Sequence, residues 1–233
     1  MVGPLNWLSQ IASIAKFNLQ TLPQRKGSSA AAVFGIAGVV AVMVGVLSIA
    51  QGIQRTMESS ASSENVIVLR SGADTEMMSG LGGDDTKIIS EGPGLARNEN
   101  GAVASPELLV IINLPMRSTG TDANVPLRGI SRKAMDVREN FQIVEGRLFE
   151  WGLNEVIVGV GAQLEFSGLE IGSTITVAQE EWPVVGMFEA GGGLAETEIW
   201  VDGAVLQPVY RRGNSYQAVY ARLESEGAFQ EFK

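Results

Sequence analysis

The 233-residue chain contains no cysteine and no histidine. Without cysteine there is no disulfide to brace an exported domain, no thiol nucleophile and no thiolate metal site. Without histidine the commonest general base and the commonest metal ligand are missing as well. Any enzyme chemistry would be confined to carboxylate, Ser/Lys or Tyr groups. Positive charge is also scarce and unevenly placed. Lys16, Arg25 and Lys26 are the basic residues of 1–54, which contains no acidic one; residues 55–233 carry 14 basic against 26 acidic side chains, a net −12. An acidic region with no Lys/Arg cluster argues against nucleic acid or anionic lipid as its partner.

Charge of either sign is absent from Gly27 to Gln54, and the centre of that run, Ala30–Ala50, reads AAAVFGIAGVVAVMVGVLSIA. As a helix it is roughly 30 Å long, the thickness of a bilayer's hydrocarbon core. A lone segment in lipid must satisfy its backbone internally, so a helix is the expected form. Ser48-Ile49-Ala50 resembles a small-x-small signal cleavage site. The run is nevertheless longer than a signal peptide's apolar region and follows a long leader, so it reads as a span. Basic residues flank its start, while Arg55, Glu58 and Glu64 follow its end. Lys and Arg near a span stay in the cytoplasm, which predicts an internal N-terminus and an external majority of the chain.

One face of this helix is small. Ala31, Gly35, Gly38, Ala41, Gly45, Ser48 and Gly52 recur at four- and three-residue spacing, the pattern that lets helix backbones pack closely in lipid. Upstream, Leu8, Ile11, Ala12, Ala15, Leu19 and Leu22 fall at helical spacing, with Asn6, Ser9, Ser13, Lys16 and Gln20 on other faces and Trp7 and Phe17 as interfacial aromatics. This predicts an amphipathic helix on the membrane lipid of the inner leaflet. It should end at Pro23, with Gln24–Ser29 as the bend into the span.

Beyond the span, Gln54–Ser63 should continue the helix and Glu64–Leu69 should form the first strand. Ser71–Asp85, rich in Gly, Ser and Asp, reads as a mobile loop. Asp84 or Asp85 is expected to cap a helix over Thr86–Glu91, stopped by Gly92-Pro93-Gly94. Glu107–Leu114 is a buried strand, and Pro126 makes Val125–Ile130 an edge strand or strand start. Glu155–Gly159 should run as a strand into a short helix through Ala162-Gln163-Leu164. Ile171–Val177 and Trp182–Phe188 read as a hairpin, Glu198–Val201 and Tyr216–Leu223 as further strands, and Glu226–Lys233 as the start of a helix. The expected class is α+β: one N-terminal transmembrane helix, then a mixed α/β domain with a small β-rich subdomain near 145–190.

Candidate chemistry is thin. Gly159-Val160-Gly161 lacks the third glycine and the βαβ unit of a dinucleotide turn. Glu189, Glu196 and Glu198 flank Gly191–Gly193 but read as solvated loop carboxylates. Asp74, Glu76, Asp84 and Asp85 lack the spacing of a calcium loop. No Walker A sequence is present, so nucleotide chemistry would belong to another subunit. No catalytic residue, metal or cofactor is expected.

Several strings share an order: NVIVLRSG (65–72), PLRGIS (126–131), VEGRLF (144–149), EVIVG (155–159), GLEIGSTI (168–175) and WPVVGMFEAGG (182–192). Together with the amphipathic start and the Gly/Val-rich span, this resembles the permease subunits of MacB/LolC/FtsX-type ABC transporters, in particular their MacB-like periplasmic core domain. The resemblance implies residues 1–27 as a cytoplasmic interfacial helix and turn, 28–53 as the span and 54–233 as the periplasmic core domain. Three more spans of the family pattern are not in this sequence, which reads as a fragment.

It further implies a non-catalytic permease in a bacterial inner membrane. Its partners would be a cytoplasmic ABC ATPase, a second permease subunit in a homo- or heterodimer, and a periplasmic adaptor or cargo protein. Efflux, lipoprotein release and mechanotransmission are the family's roles. The alternatives are a single-span sensor or ligand-binding membrane protein with a periplasmic domain, and a tethered periplasmic enzyme. Fewer than about 30 residues precede the span, too few for an output domain.

Overall fold

The computed structural model describes residues 4–21, 25–60, 64–138 and 140–233. The chain divides into two compact units, Met1–Gln54 and Arg55–Lys233. In the first, helix α1 (Pro4–Thr21) opens on a proline, whose missing N–H costs nothing in a first turn. Leu22, Pro23 and Gln24, where the bend was expected, lie outside the described residues. Helix α2 (Lys26–Ser60) begins at Lys26, within the expected bend, and extends well beyond the apolar run. Ala61–Ser63 again lie outside the described residues. Its stretch Lys26–Gln54 is long and apolar enough to cross a membrane, and none of its most apolar window is buried within the protein. Phe34, for example, is 78% exposed. So much bare apolar surface all round a helix requires lipid or other helices as its solvent.

The second unit comprises β1 (Asn65–Val68), β2 (Leu81–Gly82), α3 (Gly83–Ser90), β3 (Arg97–Asn98), β4 (Gly101–Ala102), β5 (Ala104–Pro115) and β6 (Asp122–Ile130). Then follow α4 (Ala134–Val137), β7 (Phe141–Gly146), β8 (Val156–Gly159), α5 (Val160–Glu165), β9 (Thr174–Val177) and β10 (Glu180–Ala190). β11 (Ile199–Asp202), α6 (Gly203–Val209), β12 (Ser215–Tyr216), β13 (Ala218–Arg222) and α7 (Phe229–Phe232) complete it. The main sheet runs β1-β13-β5-β6-β11-β8-β10-β7, with β9 folded onto β10. The pairs β6/β11 and β8/β10 are parallel, and the sheet's other pairings are antiparallel. This is the mixed α/β domain expected. Its β-rich section, β7 to β10, joins the rest through β11, which returns to lie between β6 and β8.

Both faces of the sheet's centre are buried, so its strands read as nearly continuous apolar runs. Leu108, Val110, Leu127, Val156, Val158, Ile199 and Val201 form one face, with Ala162 of α5 and Leu206 of α6 over them. The opposite face carries Ile157, Phe188 and Trp200, packed with Ile130, Ala134 and Phe149. A third cluster, including Leu81, Leu95, Val219, Ala221 and Ala228, lies under α3 and α7.

Three expectations need correction. β6 is no edge strand: β5 pairs with it from Asp122 onward, and β11 joins its other side from Leu127. Pro126 stops one residue short of the stretch with neighbours on both sides, so its missing N–H is tolerated there. The helix expected from Asp84 or Asp85 starts at Gly83 with Gly82 at its N-cap, and Asp85 instead accepts the Gly82 N–H at 2.9 Å from inside the first turn. The segment Ser71–Asp85 is also more constructed than an open loop. It holds a 3-10 turn at Glu76–Met78 and β2, and the Arg70 N–H donates to Ser79 Oγ at 2.9 Å.

Candidate functional site

The residues singled out from the sequence, Ala31, Gly35, Gly38, Ala41, Gly45, Ser48 and Gly52, all lie on α2. At about 100° per residue they occupy an arc of roughly 140°. All seven are exposed, and a Cβ placed on Gly35, Gly38, Gly45 or Gly52 would meet nothing within 4 Å. The small residues thus share one exposed side of α2.

The acidic groups weighed from the sequence do not converge on chemistry. Glu189 accepts from Gln142 Nε2 at 3.1 Å, while Glu196 Oε1 accepts the Ala190 and Gly192 N–H groups at 2.8 and 2.6 Å. Glu198 is no solvated loop carboxylate; it is 8% exposed and ion-paired. Asp84 pairs with Lys87 and Asp85 caps α3, so these two aspartates serve α3 locally. Among the described residues no cluster of Asp and Glu is arranged to hold a metal ion. Gly159 N-caps α5, and a Cβ there would lie 2.1 Å from the Glu196 carbonyl oxygen. Close backbone packing therefore demands that glycine.

What the sequence reading missed is a buried ionic cluster beside Trp200. Arg128, in β6, donates Nε and Nη2 to the two carboxylate oxygens of Glu198 at 2.7 Å each, and Nη1 to Glu76 Oε2 at 2.7 Å. Its Nη1 also reaches Glu107 Oε2 at 3.3 Å. Glu107, fully buried at the head of the apolar part of β5, takes a second fork from Arg138 at 2.7 and 2.8 Å. Tyr220 Oη donates to Glu76 at 2.5 Å, and Trp200 Nε1 donates to Glu198 Oε2 at 2.8 Å. Arg138 lies 4.9 Å from the Trp200 ring centre and 4.5 Å from that of Tyr220, and Trp200 stacks on Phe188 at 4.2 Å.

Burial alone would drive these groups toward neutrality; pairing reverses that. Desolvation opposes the Arg128 cation, but Glu198 outweighs it and holds the guanidinium well above its ordinary value. Desolvation likewise opposes the Glu198 carboxylate, and Arg128 overcomes it, so that acid sits below the usual carboxylate range. Burial pushes the Tyr220 phenol strongly upward, keeping it a neutral donor. The cluster thus ties β5, β6, β13, the end of α4, the approach to β11 and the 71–80 segment to one point. Its charged groups are engaged with one another, two guanidinium groups against three carboxylates.

A signal for it did exist. Arg128 inside VPLRGI and Glu107 at the head of ELLVIINL are single charges embedded in strands that must be buried, and such charges require partners.

One helix long and apolar enough to cross a membrane, followed by a mixed α/β domain, is the arrangement of a membrane-tethered protein. The chain belongs to the MacB-like periplasmic core domain family, a domain of ABC transporter permeases, matched over residues 29–233. Among solved structures it is similar to the extracellular domain of the noncanonic ABC-type transporter YknZ from Gram-positive bacteria, with 16% identity and a TM-score of 0.52 over 72% of this chain and 88% of that one. It is also similar to the periplasmic region of MacB from Actinobacillus actinomycetemcomitans, with 12% identity and a TM-score of 0.51 over 72% and 80% of the two chains. At these identities the likeness is one of fold. No curated protein sequence matches the chain.

Proposed function

We propose that the chain is part of a transmembrane permease subunit of an ABC transporter, coupling ATP hydrolysis by a separate ATPase to movement of its periplasmic domain. The observation that carries this reading is the succession, in one chain, of a 29-residue apolar stretch and a domain of the MacB-like family. Residues 1–27 lie on the cytoplasmic leaflet, 28–53 cross the membrane and 54–233 stand in the periplasm. The basic residues before the span and the acidic majority after it support that orientation. The stripe from Ala31 to Gly52 packs against other spans, in this subunit or in a second permease subunit. Export, lipoprotein release or force transmission to a periplasmic partner are the tasks such a subunit performs.

The geometry of the domain's two ends supports a mechanical role. β1, the first strand after α2, pairs antiparallel with β13 near the end of the domain. The Leu223 N–H donates to the Glu64 carbonyl at 2.7 Å, and Arg222 reaches the Glu64 carboxylate at 3.3 Å. A pull on either end is therefore delivered to the same edge of the sheet, and from there to the Arg128 cluster.

The absence of native cysteine makes the orientation directly testable. In spheroplasts, a membrane-impermeant maleimide should label Ser118→Cys at once and Ser13→Cys only after permeabilisation. The reverse order, or equal labelling of both, would overturn the topology and the function built on it.

A further inference from the structure

Arg117, Arg128, Arg138, Arg147 and Arg222 each pair with a carboxylate. Arg132 does not. It is exposed, and its guanidinium carbon lies over the Trp151 ring, 4.8 Å from the ring centre. Trp151 is held from behind. It meets the buried Phe149 ring edge-on at 4.9 Å and 72°, and the next residue, Gly152, donates its N–H to Asp202 Oδ2 at 2.7 Å. Gly152 has φ +92°, which suits a glycine in this turn. Tyr216, half-buried in β12 and paired in register with Leu81 of β2, joins Arg132 and Trp151 in lining a cleft of about 470 Å³, to which Ser131 and Gly203 also contribute. The Asp202 carboxylate also borders this cleft, but both its oxygens are engaged, Oδ2 by Gly152 and Oδ1 by the Ala204 N–H at 2.9 Å.

We propose that this cleft receives an acidic side chain of a partner polypeptide. Its carboxylate meets the Arg132 fork, and a neighbouring apolar side chain sits between Trp151 and Tyr216. Three features argue for that occupant. A guanidinium lying on an aromatic face keeps N–H donors free for a planar acceptor, and the ring shields the pair from water. Arg, Trp and Tyr are the residue types that dominate binding energy at protein interfaces, and here all three line one cleft. Charge complementarity supplies the sign, because Arg132 is a cation without an acidic partner among the described residues. The inference does not depend on which way α2 crosses the membrane.

The test uses the full chain in phosphatidylcholine nanodiscs and three fluorescein-labelled peptides, Gly-Glu-Phe-Glu-Gly, Gly-Gln-Phe-Gln-Gly and Gly-Lys-Phe-Lys-Gly, read by anisotropy. The acidic peptide should bind roughly tenfold more tightly than its amide counterpart, a charge-assisted bidentate contact being worth about that much. Arg132→Gln should abolish the acid-over-amide ratio and Arg132→Lys should retain part of it. Trp151→Ala should weaken both peptides; if that variant fails to fold, the two Arg132 variants decide. An acid-over-amide ratio of one in the wild type, or one unchanged in Arg132→Gln, would overturn the proposal. So would displacement of the acidic peptide by inorganic phosphate or phosphatidylglycerol vesicles at equal anion concentration, which would reassign the cleft to phosphate. Self-association of the chain without peptide, lost in Arg132→Gln, would reassign it to a second copy.

Discussion

Arg128 and Glu198 meet through two hydrogen bonds of 2.7 Å, guanidinium fork to carboxylate, although 70 residues separate them in the chain. Both are nearly inaccessible, and Arg128 also serves Glu76 and Glu107. Removing the cation strands two or three carboxylates inside the domain. Such a deletion typically costs about 3–5 kcal/mol, because the charge left behind is uncompensated. Arg128→Met should therefore lower the thermal midpoint of the unit Arg55–Lys233 steeply or leave it unfolded. Arg128→Lys should rescue it only in part, since an ammonium cannot form the fork. Fluorescence of Trp200, whose indole N–H donates to Glu198, is the natural probe. A midpoint within 2 °C of wild type in Arg128→Met would refute the assignment.

The same cluster sets a pH window. Glu198 titrates below the ordinary carboxylate value of 4.5 in the folded protein. Its stabilising contribution is thus fully present above about pH 4.5 and is lost as pH falls through its folded value. Tyr220 titrates above the ordinary phenol value of 10.0, so its contribution is fully present below about pH 10 and is lost as pH rises. Arg128 and Arg138, both raised, stay charged throughout. Denaturant midpoints measured across pH 3–11 should form a plateau between about 5 and 9 and fall on both sides. Tyr220→Phe should flatten the alkaline fall and leave the acid one, and an unchanged alkaline limb would count against Tyr220 as its source.

Local pattern explains what could be read in advance. The apolar run of α2, the ELLVIINL core of β5 and the β8–α5 turn each announce themselves within a dozen residues. The β-hairpin was legible as two alternating strands. The ionic cluster was not, because its partners lie 52 residues apart for Glu76–Arg128 and 144 apart for Glu76–Tyr220. No local period connects them. The placement of β11 between β6 and β8 was hidden for the same reason: three apolar residues, Ile199, Trp200 and Val201, fit any buried position in a sheet. α6 escaped notice because only Asp202, accepting from the Ala204 N–H, marks its start.

Gly159 is a sharp test of close packing. A Cβ there would lie 2.1, 2.5 and 2.7 Å from the carbonyl oxygen, carbonyl carbon and Cα of Glu196, all backbone atoms that no rotamer change can move. Gly159→Ala should destabilise the unit Arg55–Lys233 by about 2–4 kcal/mol, as the 3-10 turn at Leu194–Thr197 is forced off α5. Gly80→Ala is the control, with open space around its Cβ and no positive φ. It should stay within about 0.5 kcal/mol of wild type. Equal midpoints for the two variants in urea would refute the close approach.

The β9–β10 hairpin turns on Ala178 and Gln179, with φ of 51° and 86°. Val177 and Glu180 pair on either side of them, so the loop has two residues and both adopt a conformation that non-glycine residues enter at a cost. Replacing the pair with Asn-Gly, the preferred sequence for such a turn, should raise stability by about 1 kcal/mol. A fall in the denaturant midpoint of the double variant would show that the Ala178 and Gln179 side chains contribute contacts outweighing their backbone strain.

The stripe on α2 yields a prediction in the membrane itself. Gly38 and Gly45 lie within it, whereas Val40 points some 150° away from its centre at about 100° per residue. In lipid, helices associate by van der Waals contact and not by escape from water, so a bulky side chain on the contact face separates backbones and forfeits the attraction. Among the described residues nothing lies within 4 Å of a Cβ added at Gly38 or Gly45. The loss expected of Gly38→Leu and Gly45→Leu comes from contact with a neighbouring helix. Both should sharply reduce crosslinked subunit pairs in membranes while leaving insertion intact, and Val40→Leu should leave both unchanged. If all three variants gave equal crosslinking yields, the small residues would be ordinary membrane composition and the packing face would lie elsewhere on α2.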